Sequence, residues 1–253
     1  GKVAFTGGVN LADEYANEIT RFGHWKDTAI MLKGDAVQSF TMLFLEMWAV
    51  NQMEPADCQN YLTPKHVVPD PPHGYVIPYG DHPYDNENVG EEVYFHILNH
   101  SKKYVHIMTP YLILDSEMIT ALTRAKSGIE VIIIMPHIPD KWYAFVLAHT
   151  YYKELIQAGV SIYEYTPGFV HAKVFVSDDD TATVGTINLD YRSLYLHFEC
   201  GAYIYDHPVV ADIEQDFQET LKKCQKISLT EVENRPVTYK VMGQILRLIA
   251  PLM

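Results

Sequence analysis

The sequence predicts an α/β fold, a β-sheet flanked by helices, and three observations lead there. Short β-branched runs near 104–109, 129–135 and 160–165 alternate with longer amphipathic stretches of helical period. Helix punctuation sits where those stretches begin and end, as at Asp115, Gly128 and Gly159. With 253 residues and 48% hydrophobic content, the chain can build one large or two smaller cores.

Taken in order, Lys2-Val3-Ala4-Phe5 opens strand-like, and Trp25-Lys26-Asp27 introduces an alternating stretch. The helix expected over 35–50 carries Val37, Phe40, Leu43, Phe44, Met47 and Trp48 nearly all round its circumference, so it demands cover. A chain left to cover that helix alone exposes an apolar patch or recruits another copy, which predicts aggregation or a homo-oligomer. The Pro- and His-rich segment 64–83 has no apolar period and reads as a boundary, giving units 1–63 and 84–253. Strand 104–109 then leads to a helix capped by Asp115, with apolar Met118, Ile119, Leu122 and Ala125 and with Gly128 past its end. Strand 129–135, a helix over 141–158 stopped by Gly159, and strand 160–165 complete the alternation.

The chemistry concentrates in 171–199. Residues 170–176 are β-branched and aromatic between Thr166-Pro167-Gly168 and Asp178-Asp179-Asp180, and read as one strand. A period of two then puts His171, Lys173 and Phe175 on one face and Ala172, Val174 and Val176 on the other. Residues 181–184 form the return strand, ending at Gly185, where the missing side chain admits a ligand to the backbone. Asn188 lies just beyond. An imidazole, an ammonium and an amide on one hairpin suit metal-free attack on a phosphodiester.

The string His171-x-Lys173-x4-Asp178-x6-Gly185-x-x-Asn188 resembles the HKD motif of the phospholipase D superfamily. The tail Leu189-Asp190-Tyr191-Arg192-Ser193, with Phe198-Glu199, is similar to the second motif of bacterial cardiolipin synthases. An internal echo accompanies it: Thr6-Gly7-Gly8-Val9-Asn10-Leu11 resembles Val184-Gly185-Thr186-Ile187-Asn188-Leu189. Aligning Asn10 with Asn188 places counterparts of His171, Lys173 and Asp178 before Gly1. Residues 1–63 therefore read as the trailing part of a first phospholipase D-like half cut within its motif, and 84–253 as the second half with the complete motif. The fold so implied is pseudo-twofold and duplicated.

The resemblance implies double displacement at phosphorus without metal or other cofactor. One imidazole attacks while the other protonates the departing alcohol; His171 is expected as the acid and base, the other as nucleophile. Lys173, Asn10 and Asn188 would hold the non-bridging oxygens. Gly8, Gly185, Thr186 and Ser193 would line the substrate. An acid on the strand after each half's motif would orient the other half's imidazole, Asp27 for His171 and Glu199 for the missing one. An ordinary surface carboxylate beside Lys26 is the alternative for Asp27. Asp178 belongs to the motif but lies at the strand's far end, which suits a structural role.

By the same resemblance, the reaction expected is transfer between two phosphatidylglycerol molecules to give cardiolipin and glycerol, at the bacterial cytoplasmic membrane. The alternatives are phospholipid hydrolysis and a catalytically silent binding module. A formal net charge of −13 disfavours a nucleic-acid partner. Cys58, Cys200 and Cys224 are odd in number and without metal spacing, so they read as reduced and buried. His66, His73, His82, His96, His100, His106, His137 and His149 show no metal-site spacing either and read as solvated or structurally satisfied. The C-terminal stripe Val241, Ile245, Leu246, Leu248 and Ile249, broken by Lys240 and Arg247, suits either a membrane interface or packing back onto the domain.

Overall fold

The computed structural model describes residues 1–52, 59–62 and 73–252; Cys58 and His66 lie outside them, as does the 64–72 part of the boundary segment. The chain opens with β1 (Ala4–Gly7), β2 (His24–Lys26), β3 (Ala29–Leu32) and α1 (Ala36–Gln52). It continues with β4 (Tyr75–Asp81), α2 (Val89–His100), β5 (Tyr104–Met108), α3 (Ser116–Leu122), β6 (Glu130–Pro136), α4 (Trp142–Gln157) and β7 (Ser161–Tyr165). Then come β8 (Gly168–Val170), β9 (Val174–Ser177), β10 (Thr181–Gly185), α5 (Tyr191–Tyr195), β11 (Glu199–Tyr205), α6 (Val209–Leu221), β12 (Cys224–Lys226), α7 (Leu229–Glu233) and α8 (Val237–Leu248).

An eight-stranded mixed sheet in the order β12-β7-β6-β5-β9-β10-β11-β4 forms the centre. Strands β5, β6 and β7 are parallel, joined by helical crossovers, and the hairpin β9-β10 runs antiparallel beside them. The period-two alternation sorts side chains onto two faces. Val105, Ile107, Val131, Ile133 and Phe175 pack under α2, α3 and α4, while Met108, Ile132, Ile134, Val174 and Val176 meet Val210, Ile213 and Phe217 of α6. Asp115 caps α3 by accepting from the Met118 amide at 2.7 Å, and Gly128 closes the following 3-10 turn in the left-handed region at φ 89°.

Two expectations need correction. Residues 170–176 are not one strand: β8 leaves the large sheet to pair in parallel with β2, and β9 begins at Val174, so His171, Ala172 and Lys173 span the gap. The partner that pulls β8 aside lies about 144 residues earlier, beyond any local pattern. Part of the boundary segment is strand β4, paired with the whole of β11 from Glu199↔Asp81 to Tyr205↔Tyr75. Pro78 is tolerated there because β4 is an edge strand of the sheet. The apolar patch expected on α1 is present among the described residues: Val37 is buried, but Phe44 is 62% and Trp48 59% exposed.

The C-terminal helix packs back onto the domain along one side only. Leu246 is buried and Gly243 seats α8 on Thr150 of α4, where a side chain would clash. Val237, Val241, Ile245 and Leu248 stay exposed on its other side. Among the described residues, no helix is long and apolar enough to cross a membrane. Cys200 and Cys224 are free thiols, half-buried rather than fully enclosed.

Candidate active site

The parallel pairing of β2 with β8 sets the site. Register partners His24↔Gly168, Trp25↔Phe169 and Lys26↔Val170 bring the next residues, Asp27 and His171, side by side. The His171 amide donates to the Lys26 carbonyl at 2.7 Å, and Nδ1 of His171 lies 2.8 Å from Oδ2 of Asp27. The other carboxylate oxygen accepts from the Thr28 amide at 2.9 Å. With side chains only 12% and 9% exposed, the pair is shielded from water, so its attraction is little screened. A carboxylate on Nδ1 selects the tautomer that leaves Nε2 free for chemistry and supports the imidazolium when it forms. Trp25, stacked on Phe169 at 4.6 Å, lies with its ring centre 4.9 Å from that of His171 and limits where the imidazole can swing.

Lys173 is 4% exposed and donates from Nζ to the His171 carbonyl. Burial depresses its pKa to about 7, against the opposing pull of Asp27, Glu199, Asp190 and Asp140. Among the described residues the His171 carbonyl is its one hydrogen-bond partner, which leaves N–H donors for an anionic ligand. Gly8 makes that arrangement fit: a Cβ there would stand 2.6 Å from the His171 carbonyl oxygen and 3.0 Å from Nζ of Lys173, besides colliding with Asp27.

The segment after β10 is held on several sides. Gly185 opposes Gly201 in the ladder, and a Cβ on Gly185 would meet the Cys200 carbonyl at 2.5 Å. The Thr186 amide donates to the Cys200 carbonyl at 2.9 Å while its hydroxyl donates to the Glu199 carboxylate. Tyr94 donates to the Ile187 carbonyl at 2.5 Å, and the Leu189 amide to the Thr109 hydroxyl at 3.3 Å. Asn188 donates from Nδ2 to the Ser193 hydroxyl at 2.9 Å, and its buried Oδ1 has no protein partner among the described residues. Asp190 caps α5 through the Ser193 amide at 2.8 Å. Burial raises the pKa of both Asp190 and Glu199, the latter opposed by the hydroxyls of Thr186 and Ser193.

The internal echo has a geometric counterpart. Gly7 opposes Ala29 as Gly185 opposes Gly201, and the Gly8 amide donates to the Thr28 carbonyl as the Thr186 amide does to the Cys200 carbonyl. Asp27, just before Thr28, thus occupies the place that Glu199 holds before Cys200. Asn10, two residues past Gly8, is exposed.

Asp178 sits apart from this group. At the far end of β9 its carboxylate accepts from the amides of Lys102, Lys103 and Tyr104 at 2.6, 2.9 and 3.0 Å, which holds its pKa low and ties the hairpin turn to β5. Its own φ of 55° is a left-handed turn conformation that Asp tolerates. Other histidines are structurally engaged: His106 bonds Glu214 at 2.9 Å, and His137 and His149 bond Glu164 at 2.9 and 3.1 Å.

Sequence reasoning missed three neighbours of the site. Trp25 is buried against His171, Asp140 accepts from Tyr111 at 2.5 Å and acts on Lys173, and Asp216 bonds Lys26 at 2.8 Å. None belongs to a motif, and each reaches the site only through chain crossings that no local pattern announces.

Comparison with known proteins places this geometry. Residues 94–221, just over half of the chain, match the family described as cardiolipin synthase, PLD-like domain. A protein of Streptococcus mutans serotype c, recorded as uncharacterized, is 54% identical over 254 residues, covering all of this chain and 54% of that protein. A cardiolipin synthase of Geobacillus kaustophilus is 34% identical over 254 residues, covering all of this chain and 50% of its own length. The chain thus spans about half the length of these curated relatives. The crystal structure of phosphatidylserine synthase from Haemophilus influenzae Rd KW20 superposes with a TM-score of 0.76 at 15% identity, over 100% of this chain and 69% of that one, a likeness of fold.

Proposed function

Because the chain belongs to the cardiolipin synthase PLD-like domain family, we propose that it forms part of a phosphatidyltransferase that joins two phosphatidylglycerol molecules into cardiolipin and releases glycerol. One observation carries the proposal: the Asp27 carboxylate on Nδ1 of His171, with the buried ammonium of Lys173 beside it. That trio can hold a phosphodiester and move a proton at its alcohol oxygen.

In this reading the phosphoryl group sits between His171 and a second imidazole from another HKD-type motif, toward which Glu199 plays the part that Asp27 plays for His171. The second imidazole attacks phosphorus and becomes phosphohistidine, while Nε2 of His171 gives its proton to the departing glycerol oxygen. His171 then takes the proton from the incoming lipid hydroxyl, which displaces the histidine. Lys173 balances charge on the non-bridging oxygens, and Asn188 stands next to them on its pinned segment. Thr186, Ser193, Gly8, Gly185 and Asn10 complete the surroundings of the substrate, and a membrane surface supplies it.

The test is to incubate the full-length protein with phosphatidylglycerol vesicles and analyse the lipids. Cardiolipin plus glycerol is the expected outcome; phosphatidic acid alone would mean hydrolysis, and no product would overturn the enzyme reading. His171→Ala should abolish turnover and lower stability by about 1–3 kcal/mol, because it leaves the buried Asp27 carboxylate without its imidazole partner.

A further inference from the structure

The Asp27 carboxylate reaches His171 from a segment that shares only a short parallel pairing, β2 with β8, with the strand leading to that histidine. Its position therefore depends on what fixes residues 26–28 to the body of the domain. A closed set of hydrogen bonds does so. Lys26, with a side chain 16% exposed, spends its three N–H donors on the Asp27 carbonyl at 2.9 Å, the Thr28 hydroxyl at 2.9 Å and Oδ2 of Asp216 at 2.8 Å. The Thr28 hydroxyl accepts that bond and donates its own proton to the same Asp216 oxygen at 2.8 Å. Asp216 lies on α6, which packs on the sheet that carries β9 and β10. Both chain neighbours of Asp27 thus converge on a single carboxylate oxygen of the body that holds Lys173.

We propose that Asp216 is a positioning residue: from α6 it fixes Lys26 and Thr28 and thereby holds the Asp27 carboxylate on Nδ1 of His171. It touches no reacting atom. Its contribution is geometric, because a charge-assisted bond to an ammonium has a short, directional optimum and two such anchors leave the intervening residue little freedom. Its relevance to turnover rests on the phosphatidyl-transfer reading, but the placement of the imidazole can be read without any substrate.

Full-length protein carrying 15N-labelled histidine, as wild type, Asp216→Ala, Asp216→Asn and Asp27→Asn, gives that reading directly. His171 is assigned by its loss in His171→Gln. At a pH where the ring is neutral, wild type should show one tautomer, protonated at Nδ1. Asp216→Ala should show a mixture, as should Asp27→Asn, with an about tenfold lower kcat and little change in KM. Asp216→Asn keeps an acceptor oxygen for Lys26 and Thr28 and should restore the single tautomer and most of the rate. An unmixed tautomer in Asp216→Ala would overturn the proposal, and so would an Asn variant as impaired as the Ala variant, since charge rather than geometry would then be at work. Absence of lipid product from every form would defeat the functional reading instead, with the nitrogen spectra still deciding the role of Asp216.

Discussion

Nδ1 of His171 and Oδ2 of Asp27 meet at 2.8 Å although the residues stand 144 positions apart in the chain. The contact joins a residue of the motif to one that carries no motif of its own. It follows from the register of a two-stranded parallel pairing in which Lys26 opposes Val170, so the following residue of each strand end is brought to the other.

If the Asp27 carboxylate orients and supports the imidazole, Asp27→Asn should cost at least ~100-fold in kcat while KM changes little, because the lost interaction strengthens only as the ring becomes charged. Steady-state kinetics of the full-length protein checks this. An Asn variant as fast as wild type would make the contact incidental.

Lys173 should take up a proton when an oxyanion binds. Its pKa in the folded chain is about 7 against the ordinary 10.5, so between those values the unfolded chain holds a proton that the folded one lacks. Stability therefore rises with pH across that window, and below about 7 the buried charge weighs against folding. A phosphate or tungstate ion beside Nζ favours the ammonium again. At about pH 8, calorimetry in buffers of different ionisation enthalpy should show uptake approaching one proton per site, with none in Lys173→Met.

Gly8→Ala should damage the site out of proportion to its size. The added methyl would meet the His171 carbonyl at 2.6 Å and Nζ of Lys173 at 3.0 Å, displacing the ammonium or the Asp27 segment. A stability loss of about 1–3 kcal/mol is expected from overpacking, together with a fall in kcat of roughly 100-fold from the shifted groups. Denaturation curves and kinetics of the variant separate the two effects, and unchanged kinetics would mean that the pocket yields freely.

Glu91 supplies a pH test away from the reacting groups. Its carboxylate shares the Tyr195 hydroxyl with Asp115, at 2.5 and 2.6 Å. Burial, with added repulsion from Asp115, raises its pKa from 4.5 to about 7. Between those values the folded chain binds more protons than the unfolded, so this group's contribution is lost as pH rises through the window. Glu91→Gln should stabilise by about 1 kcal/mol at about pH 8, after allowance for solvent screening, and by nothing below about pH 4.5. Chemical denaturation at both pH values reads the difference.

The uncovered face of α1 predicts self-association of residues 1–253 studied by themselves. Phe44 at 62% and Trp48 at 59% exposure leave an aromatic surface that water disfavours. Light scattering should show oligomers, and Phe44→Lys with Trp48→Lys should shift them toward monomer. A monodisperse unmodified chain would contradict this.

Much of the fold was legible because it is written locally. Asp115 and Gly128 mark helix ends through bonds within a few residues, and the alternation in 104–109 and 129–135 assigns side chains to faces by a period of two. The boundary expected over 64–83 differs from the structure at its C-terminal end: prolines suit a loop, but an edge strand such as β4 leaves one side of its backbone unpaired and accommodates Pro78. The strand expected over 170–176 differs for the opposite reason: its composition is uniformly strand-like, and the break at 171–173 comes from two different partners pulling on its ends.

By itself the sequence determined the motif, the alternation of strands and helices and the echo between the two glycine turns, since these are matters of residue type and spacing, while Asp27 stayed open between an orienting acid and a surface carboxylate. Only the tertiary structure decided that Lys173 is buried to the point of a pKa near 7, that Gly8 leaves room for it, and that Asp216 fastens the segment carrying Asp27. The physical reason is the same in each case. Burial, close approach and hydrogen-bond closure arise between residues far apart in the chain, and depend on where whole strands are laid rather than on what any one stretch prefers.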